Sequence, residues 1–237
     1  MHRRSYPILA SSLLALVAGG AACGRQLGEP QAPTASQQQA STQLTANIEQ
    51  ITSLKAKPDS VFALYAAFAA LGPQAVDPNA KKSSGLTEDL LPADLPAGCV
   101  SGSPGTGWTY TNCTSNNTTI NGTVKISGDT TTFDLQIKAS GQGANVKLSL
   151  VGTVTNAANR MTGDITYEVK VDLGGIPNPT GAGDQKTKVV YDITYTTNPT
   201  CITAGSIRVD YDVSGGAVSG SAQFEWTGCN MYKVRNG

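Results

Sequence analysis

Ile120-Asn-Gly-Thr-Val124-Lys-Ile126-Ser-Gly-Asp-Thr-Thr-Thr-Phe133-Asp-Leu135-Gln-Ile137 is the stretch on which the fold turns. Apolar side chains occupy every second position on both sides of a short polar break. That period of two belongs to strands with one buried face, and the break reads as a hairpin turn. The alternation continues as Val146, Leu148, Leu150 and Val154, then Met161, Ile165, Tyr167, Val169, Val171 and Leu173. It resumes as Val189, Tyr191, Ile193 and Tyr195, then Ile207, Val209, Tyr211 and Val213, and ends with Val218, Ala222, Phe224 and Trp226. Trp108 and Tyr110 mark an earlier short strand. Of the 27 threonines, 22 lie beyond Cys99, where strand propensity would put them.

Paired residues in a hairpin have numbers summing to a constant and must point to the same face. Four turns satisfy this rule. Ile126 against Phe133 leaves Asp129-Thr130 at the tip, and Ile137 against Leu148 leaves Gln142-Gly143. Val154 against Met161 leaves Ala157-Ala158, and Val213 against Val218 aligns Ile207 with Phe224 around Gly215-Gly216. The same registers set Lys125 opposite Asp134 and Lys147 opposite Glu168 on the outward face, which is otherwise rich in Thr, Ser, Asn and Gln. Gly122, Gly152, Gly163, Gly205 and Gly220 fall on the inward parity, which implies a sheet that bends around something. The expected fold is mainly β: a curled antiparallel meander of about eight strands, barrel-like or half-barrel, with one or two N-terminal helices packed on it.

Upstream, the period changes. Leu44, Ile48, Ile51 and Leu54 recur at helical spacing behind Ser41 or Thr42 as N-cap, and Pro58 ends the run. Asp59 or Ser60 can cap a second helix with the stripe Val61, Leu64, Tyr65, Phe68 and Leu71, which Gly72-Pro73 terminates. Residues 42–72 are thus a helical segment whose stripes are packing surface. Residues 73–98, with four prolines, read as a linker with one short turn at Thr87–Leu91. Residues 23–41 carry almost no large apolar side chains and read as a flexible tether. The eighteen residues after Cys23, as coil, reach roughly 20–25 Å, enough to lift a domain clear of lipid headgroups.

Residues 1–22 have the form of an export signal. Arg3 and Arg4 precede an apolar run from Ile8 to Ala22 that is too short to span a bilayer. The run ends in Gly20-Ala21-Ala22-Cys23, which resembles the lipobox of bacterial lipoprotein precursors, although Gly20 stands where Leu is commonest. The resemblance covers this segment alone. It implies removal of residues 1–22, lipidation of Cys23 with palmitate among its acyl chains, and a lipid-anchored place in the bacterial cell envelope. Gly24 after the cysteine, rather than Asp, favours the outer membrane.

The whole chain has 17 basic and 17 acidic side chains, and 14% of its residues are charged. Loss of the signal removes Arg3 and Arg4, taking the basic count from 17 to 15 and the formal charge to −2. No basic excess remains to draw nucleic acid. His2, the one histidine, leaves too, so the mature chain has none for general-base, nucleophile-activating or metal-ligating duty.

Four cysteines remain after Cys23. In an exported domain Cys99, Cys113, Cys201 and Cys229 suggest disulfides, for which three connectivities exist. The final hairpin register sets Ile202 opposite Cys229, so a bend at Pro199 or Gly228 would join 201 to 229 and leave 99 with 113. A zinc site has no Cys-x-x-Cys spacing to support it.

Catalytic patterns are thin. Ser103 and Ser219 lie outside any Gly-x-Ser-x-Gly elbow. Asp210 with Asp212, and Asp164 with Glu168, are carboxylate pairs of the kind glycosidases use, but all four take the outward parity. Gly174–Gly183 is both Gly- and Pro-rich and reads as a loop. Asn116, Asn117 and Asn121 head glycosylation sequons of little meaning in a bacterial host. No cofactor is implied. The expectation is a non-enzymatic envelope lipoprotein with a structural or surface-interaction role, its partners the membrane and an envelope protein. The alternative is a periplasm-facing carrier holding lipid or another hydrophobic ligand inside the curled sheet.

Overall fold

The structure, a computed structural model, describes residues 27–71, 73–76, 95–115, 117–141, 144–172, 184–197, 200–213 and 219–237. Ten strands lie in one sheet in strict sequence order, each antiparallel to the next. They are β1 (Val100–Ser103), β2 (Gly107–Ser115), β3 (Thr118–Ser127), β4 (Thr130–Gly141) and β5 (Ala144–Ala157), then β6 (Arg160–Asp172), β7 (Gln185–Thr197), β8 (Thr200–Val213), β9 (Ser219–Gly228) and β10 (Met231–Asn236). The first and last strands are not paired with each other, so the meander is open. β1 and β10 are the two strands beyond the eight expected. β1 carries a single apolar side chain, and β10 fully buries only Val234, so neither shows a period of two.

The expected inward rows are inward. Ile120, Val124, Phe133, Leu135, Ile137, Leu150, Val154, Ile165, Val189, Ile207 and Phe224 are all buried. Two registers are as expected, Ile137 against Leu148 and Ile207 against Phe224; their tips, at Gln142-Gly143 and Gly215-Gly216, lie outside the described residues.

The other two are displaced by two residues. Val124, not Ile126, faces Phe133, and the β3–β4 tip is Gly128-Asp129. Gly163, not Met161, faces Val154, and the β5–β6 tip is Ala158-Asn159. Turn chemistry explains both shifts. Tight hairpins need left-handed backbone at the tip, which Gly128 (φ 57°) and Asn159 (φ 63°) supply. A two-residue slip preserves the face, so parity alone cannot detect it. The charge pairs fail accordingly: Lys125 faces Thr132, Asp134 faces Thr123, and Glu168 faces Ser149.

The five inward glycines each meet an aromatic ring across a ladder. The pairs are Gly122 with Tyr110, Gly152 with Phe133, Gly163 with Tyr191, Gly205 with Trp226 and Gly220 with Tyr211. An aromatic residue stands opposite each missing side chain, and the bare backbone lets the strands coil closely. At Gly122 (φ 124°) a Cβ would overlap the Asp134 carbonyl oxygen, so no other residue fits there.

Two helices cover the inner face. α1 (Ala35–Ser53) buries Leu44, Ile48 and Ile51, and α2 (Ser60–Ala69) buries Val61, Leu64, Tyr65 and Phe68, as the stripes require. Asp59 is the N-cap of α2, without a side-chain bond. The start of α1 corrects the tether. Its N-cap is Thr34, whose hydroxyl accepts from the Gln37 N–H while the Gln37 side chain accepts from the Thr34 N–H. This capping box places the helix start seven residues before Thr42. Before it, Gly28 N–H donates to the Asn236 carbonyl (2.8 Å), and Gln31 bridges to Val234. Residues 28–41 are therefore part of the domain, not coil. In the expected linker, Pro73–Ala75 forms a 3-10 turn with Ala75 and Val76 buried; Thr87–Leu91 lies outside the described residues.

Candidate functional site

The helical hairpin is clamped to the sheet at its turn. Trp108 Nε1–H donates to the Leu54 carbonyl (2.7 Å), and the Tyr110 hydroxyl donates to the Pro58 carbonyl (2.8 Å). On the same inner face Tyr65 meets Tyr167 edge-on with ring centroids 6.2 Å apart, and Phe68 packs against the same ring. Side chains of α1 and α2 thus occupy the space the sheet curls around.

A few polar groups are enclosed there. Asn47 is fully buried, and neither its amide nitrogen nor its oxygen has a hydrogen-bond partner; the Tyr65 and Tyr191 hydroxyls are likewise unpaired. Burial pushes the Tyr65 hydroxyl well above its ordinary range, with Tyr167, Tyr110 and Asp134 adding to the effect. Burial also raises Tyr191; the nearby Asn47 amide offsets this slightly, without the two reaching hydrogen-bond geometry. Tyr110 is raised by burial and then by Asp59, and Tyr211 is pushed up to about 12 by burial alone. All four stay protonated at neutral pH, so they can donate hydrogen bonds but not serve as bases.

Both disulfides join the expected pairs. Cys99 and Cys113 have Cα atoms 5.1 Å apart, and Cys201 and Cys229 5.6 Å apart. The first ties the chain before β1 to β2. The second ties the start of β8 to the β9–β10 turn, and the bend it requires comes from extra residues at Thr203 and Thr227, where the ladders shift register.

The carboxylate candidates do not converge on a cleft. Asp210 accepts from Arg208 Nε (2.9 Å) and from the Ser221 hydroxyl (2.6 Å). Asp212 faces Lys186 across the β7–β8 ladder. Asp164 pairs with Lys188 (3.3 Å), and Glu168 with Lys170 (3.4 Å). Ser103 bonds Thr106 in the exposed β1–β2 turn, and Ser219 opens β9 opposite Asp212. Asn121 accepts from the Asn112 N–H (2.8 Å), Asn117 sits in the β2–β3 turn, and Asn116 and Gly174–Gly183 lie outside the described residues. Among the described residues no three His, Cys, Asp or Glu side chains gather to hold a metal, and no helix is long and apolar enough to cross a membrane.

The outer face has a feature that sequence reading missed. Lys147 on β5 stands directly between Lys138 on β4 and Lys170 on β6. These three exposed lysines, with Gln136, Ser149 and Glu168, line a shallow depression of about 190 Å³. The signal was present in the turn chemistry, since the Ala158-Asn159 tip brings Lys170 to Lys147. A larger open groove, about 790 Å³, runs between the first turns of α1 and the β9–β10 hairpin, past Pro33, Met231, Tyr232 and Lys233. Cys23 lies outside the described residues. No protein-family model, no curated protein and no solved structure matches this chain.

Proposed function

We propose that this chain is a non-enzymatic lipoprotein of the bacterial cell envelope, held in the outer membrane through lipid on Cys23, with a structural or surface-interaction role. The observation that carries the reading is the division between the faces of the sheet. The inner face is occupied by α1 and α2, which leaves the outer face and the loops as the surfaces free to meet a partner. The lipobox-like Gly20-Ala21-Ala22-Cys23 supports the anchor, and two disulfides suit an oxidising compartment.

The second reading is a carrier for lipid or another hydrophobic ligand. It draws support from the unpaired Asn47, Tyr65 and Tyr191 groups in the interior, but it requires the helical hairpin to leave its place. The test is flotation of full-length protein and of Cys23→Ser, both exported in a Gram-negative host. The unsubstituted chain floats with membranes and the variant does not; equal fractionation of the two overturns the anchor. Native mass spectrometry of the floated protein shows no bound ligand beyond its own acyl chains, and a stoichiometric non-covalent lipid would favour the carrier instead.

A further inference from the structure

We propose that the end of the sheet bearing Lys138, Lys147 and Lys170 faces the membrane and that these lysines contact anionic lipid headgroups. The inference rests on the Cys23 anchor. Two independent features lead to it.

The first is where the chain leaves the domain. Gly28 is bonded to Asn236 at the finishing end of β10. In an antiparallel meander every even-numbered strand finishes at that same end, so β4, β6 and β8 finish there too. Five peptide steps separate Gly28 from Cys23, and however they are folded they span no more than about 17 Å. A lipid on Cys23 therefore holds this end of the sheet, and not the opposite one, close to the bilayer.

The second is the charge at that end. Lys138 lies three residues before the end of β4, Lys147 three residues after the start of β5, and Lys170 two residues before the end of β6. Like charges directly opposite on neighbouring strands repel. Lys170 is partly compensated by Glu168, and Asp172 follows two residues on. Lys138 has no acid across from it or beside it on its strand, where its neighbours are Thr119, Gln136, Ser140 and Lys147, and Lys147 meets Glu168 and Asp172 only on the diagonals across β6. The row sets three lysines side by side against Glu168 and Asp172, a strip with a net positive charge. Anionic headgroups attract each such lysine by about fivefold in binding, over a range of roughly a Debye length. The opposite end carries Lys125 and Lys233, each two positions from the end of its strand, and serves as an internal control.

Full-length protein is purified from membranes and placed in vesicles of phosphatidylcholine alone or of phosphatidylcholine with phosphatidylglycerol as the anionic lipid. The lysines are then acetylated and read residue by residue by mass spectrometry. With phosphatidylglycerol, Lys138, Lys147 and Lys170 react about fivefold more slowly, and Lys125 and Lys233 are unchanged. Uniform labelling in vesicle-bound protein overturns the orientation while leaving the anchor intact. Protection at Lys125 and Lys233 instead also overturns it. Equal protection by inorganic phosphate over phosphatidylcholine vesicles shows a small-anion site and overturns the membrane face. Failure to join the vesicles at all refutes the anchor itself, and the proposal with it.

Discussion

The two faces of this sheet are made by the same strands and obey different rules. On the inner face what matters is which side a residue points to, because apolar packing accepts any neighbour of suitable shape. On the outer face what matters is which residue stands opposite which, because charge interactions depend on sign and distance. A two-residue slip leaves the first untouched and rewrites the second. Val124 packs inward whether it meets Leu135 or Phe133. Lys147 meets Lys138 in either register, but across β6 it meets an acid in one and a lysine in the other.

The largest expected effect lies inside. Phe68 is 1% exposed and packs on Tyr167 from α2. Phe68→Ala should cost about 3–5 kcal/mol, the range for truncating a buried aromatic ring. Val151, 48% exposed on the outer face of β5, is the matched control; Val151→Ala should stay within about 0.5 kcal/mol. Urea unfolding with both disulfides intact gives the two values. A loss below about 1 kcal/mol at Phe68 would mean that the helical hairpin rests on the sheet without sharing its core.

The inner face was legible from sequence because burial leaves a record in residue type: Leu44, Ile48 and Ile51 at helical spacing, and Phe133, Leu135 and Ile137 at strand spacing. The ends of elements were harder. Helix α1 starts in the polar stretch Pro33-Thr-Ala-Ser-Gln37, where no apolar residue marks a buried face. Its capping box is a local hydrogen-bond pattern, and Gln37 is held by Asn236, nearly the whole chain away. β10 was missed for a similar reason, since of its six residues only Val234 is fully buried. The lysine row required correct turns first. Of the candidate site, the disulfide partners could be read from residue number and hairpin geometry, whereas the cationic strip could not be seen until register was known.

Asn47 is where the inner face departs from its own rule. Its buried amide lacks partners, so Asn47→Leu, which keeps the volume and removes the desolvated dipole, should stabilise the fold by about 1–3 kcal/mol. The same change discriminates between the two functional readings. If the amide exists to hold a polar part of a bound ligand, protein isolated from its envelope carries that ligand, and the substitution lowers its melting temperature. A rise in melting temperature, with no ligand lost, places Asn47 among the tolerated costs of a filled core.

The smallest effect is the most specific to register. Lys147→Glu inserts a carboxylate between Lys138 and Lys170, turning two repulsions into two attractions at an exposed site. Cross-strand pairs of this kind are worth about 0.2–1 kcal/mol each, so unfolding in urea at low salt should show a gain of up to about 1 kcal/mol. Added salt should shrink the gain, because the charges are exposed to screening. Had Lys147 stood opposite Glu168, the same substitution would have set two acids together on that side while still meeting Lys138 on the other, and the gain would cancel. Absence of a gain would therefore restore the slipped register and remove Lys170 from the cationic strip. A stabilising result does more than confirm the ladder: it shows that the native lysine lowers stability where it stands. The membrane-facing role then predicts that Lys147→Glu, though more stable, loses the headgroup protection of Lys138 and Lys170, so that stability and membrane contact move in opposite directions at one residue.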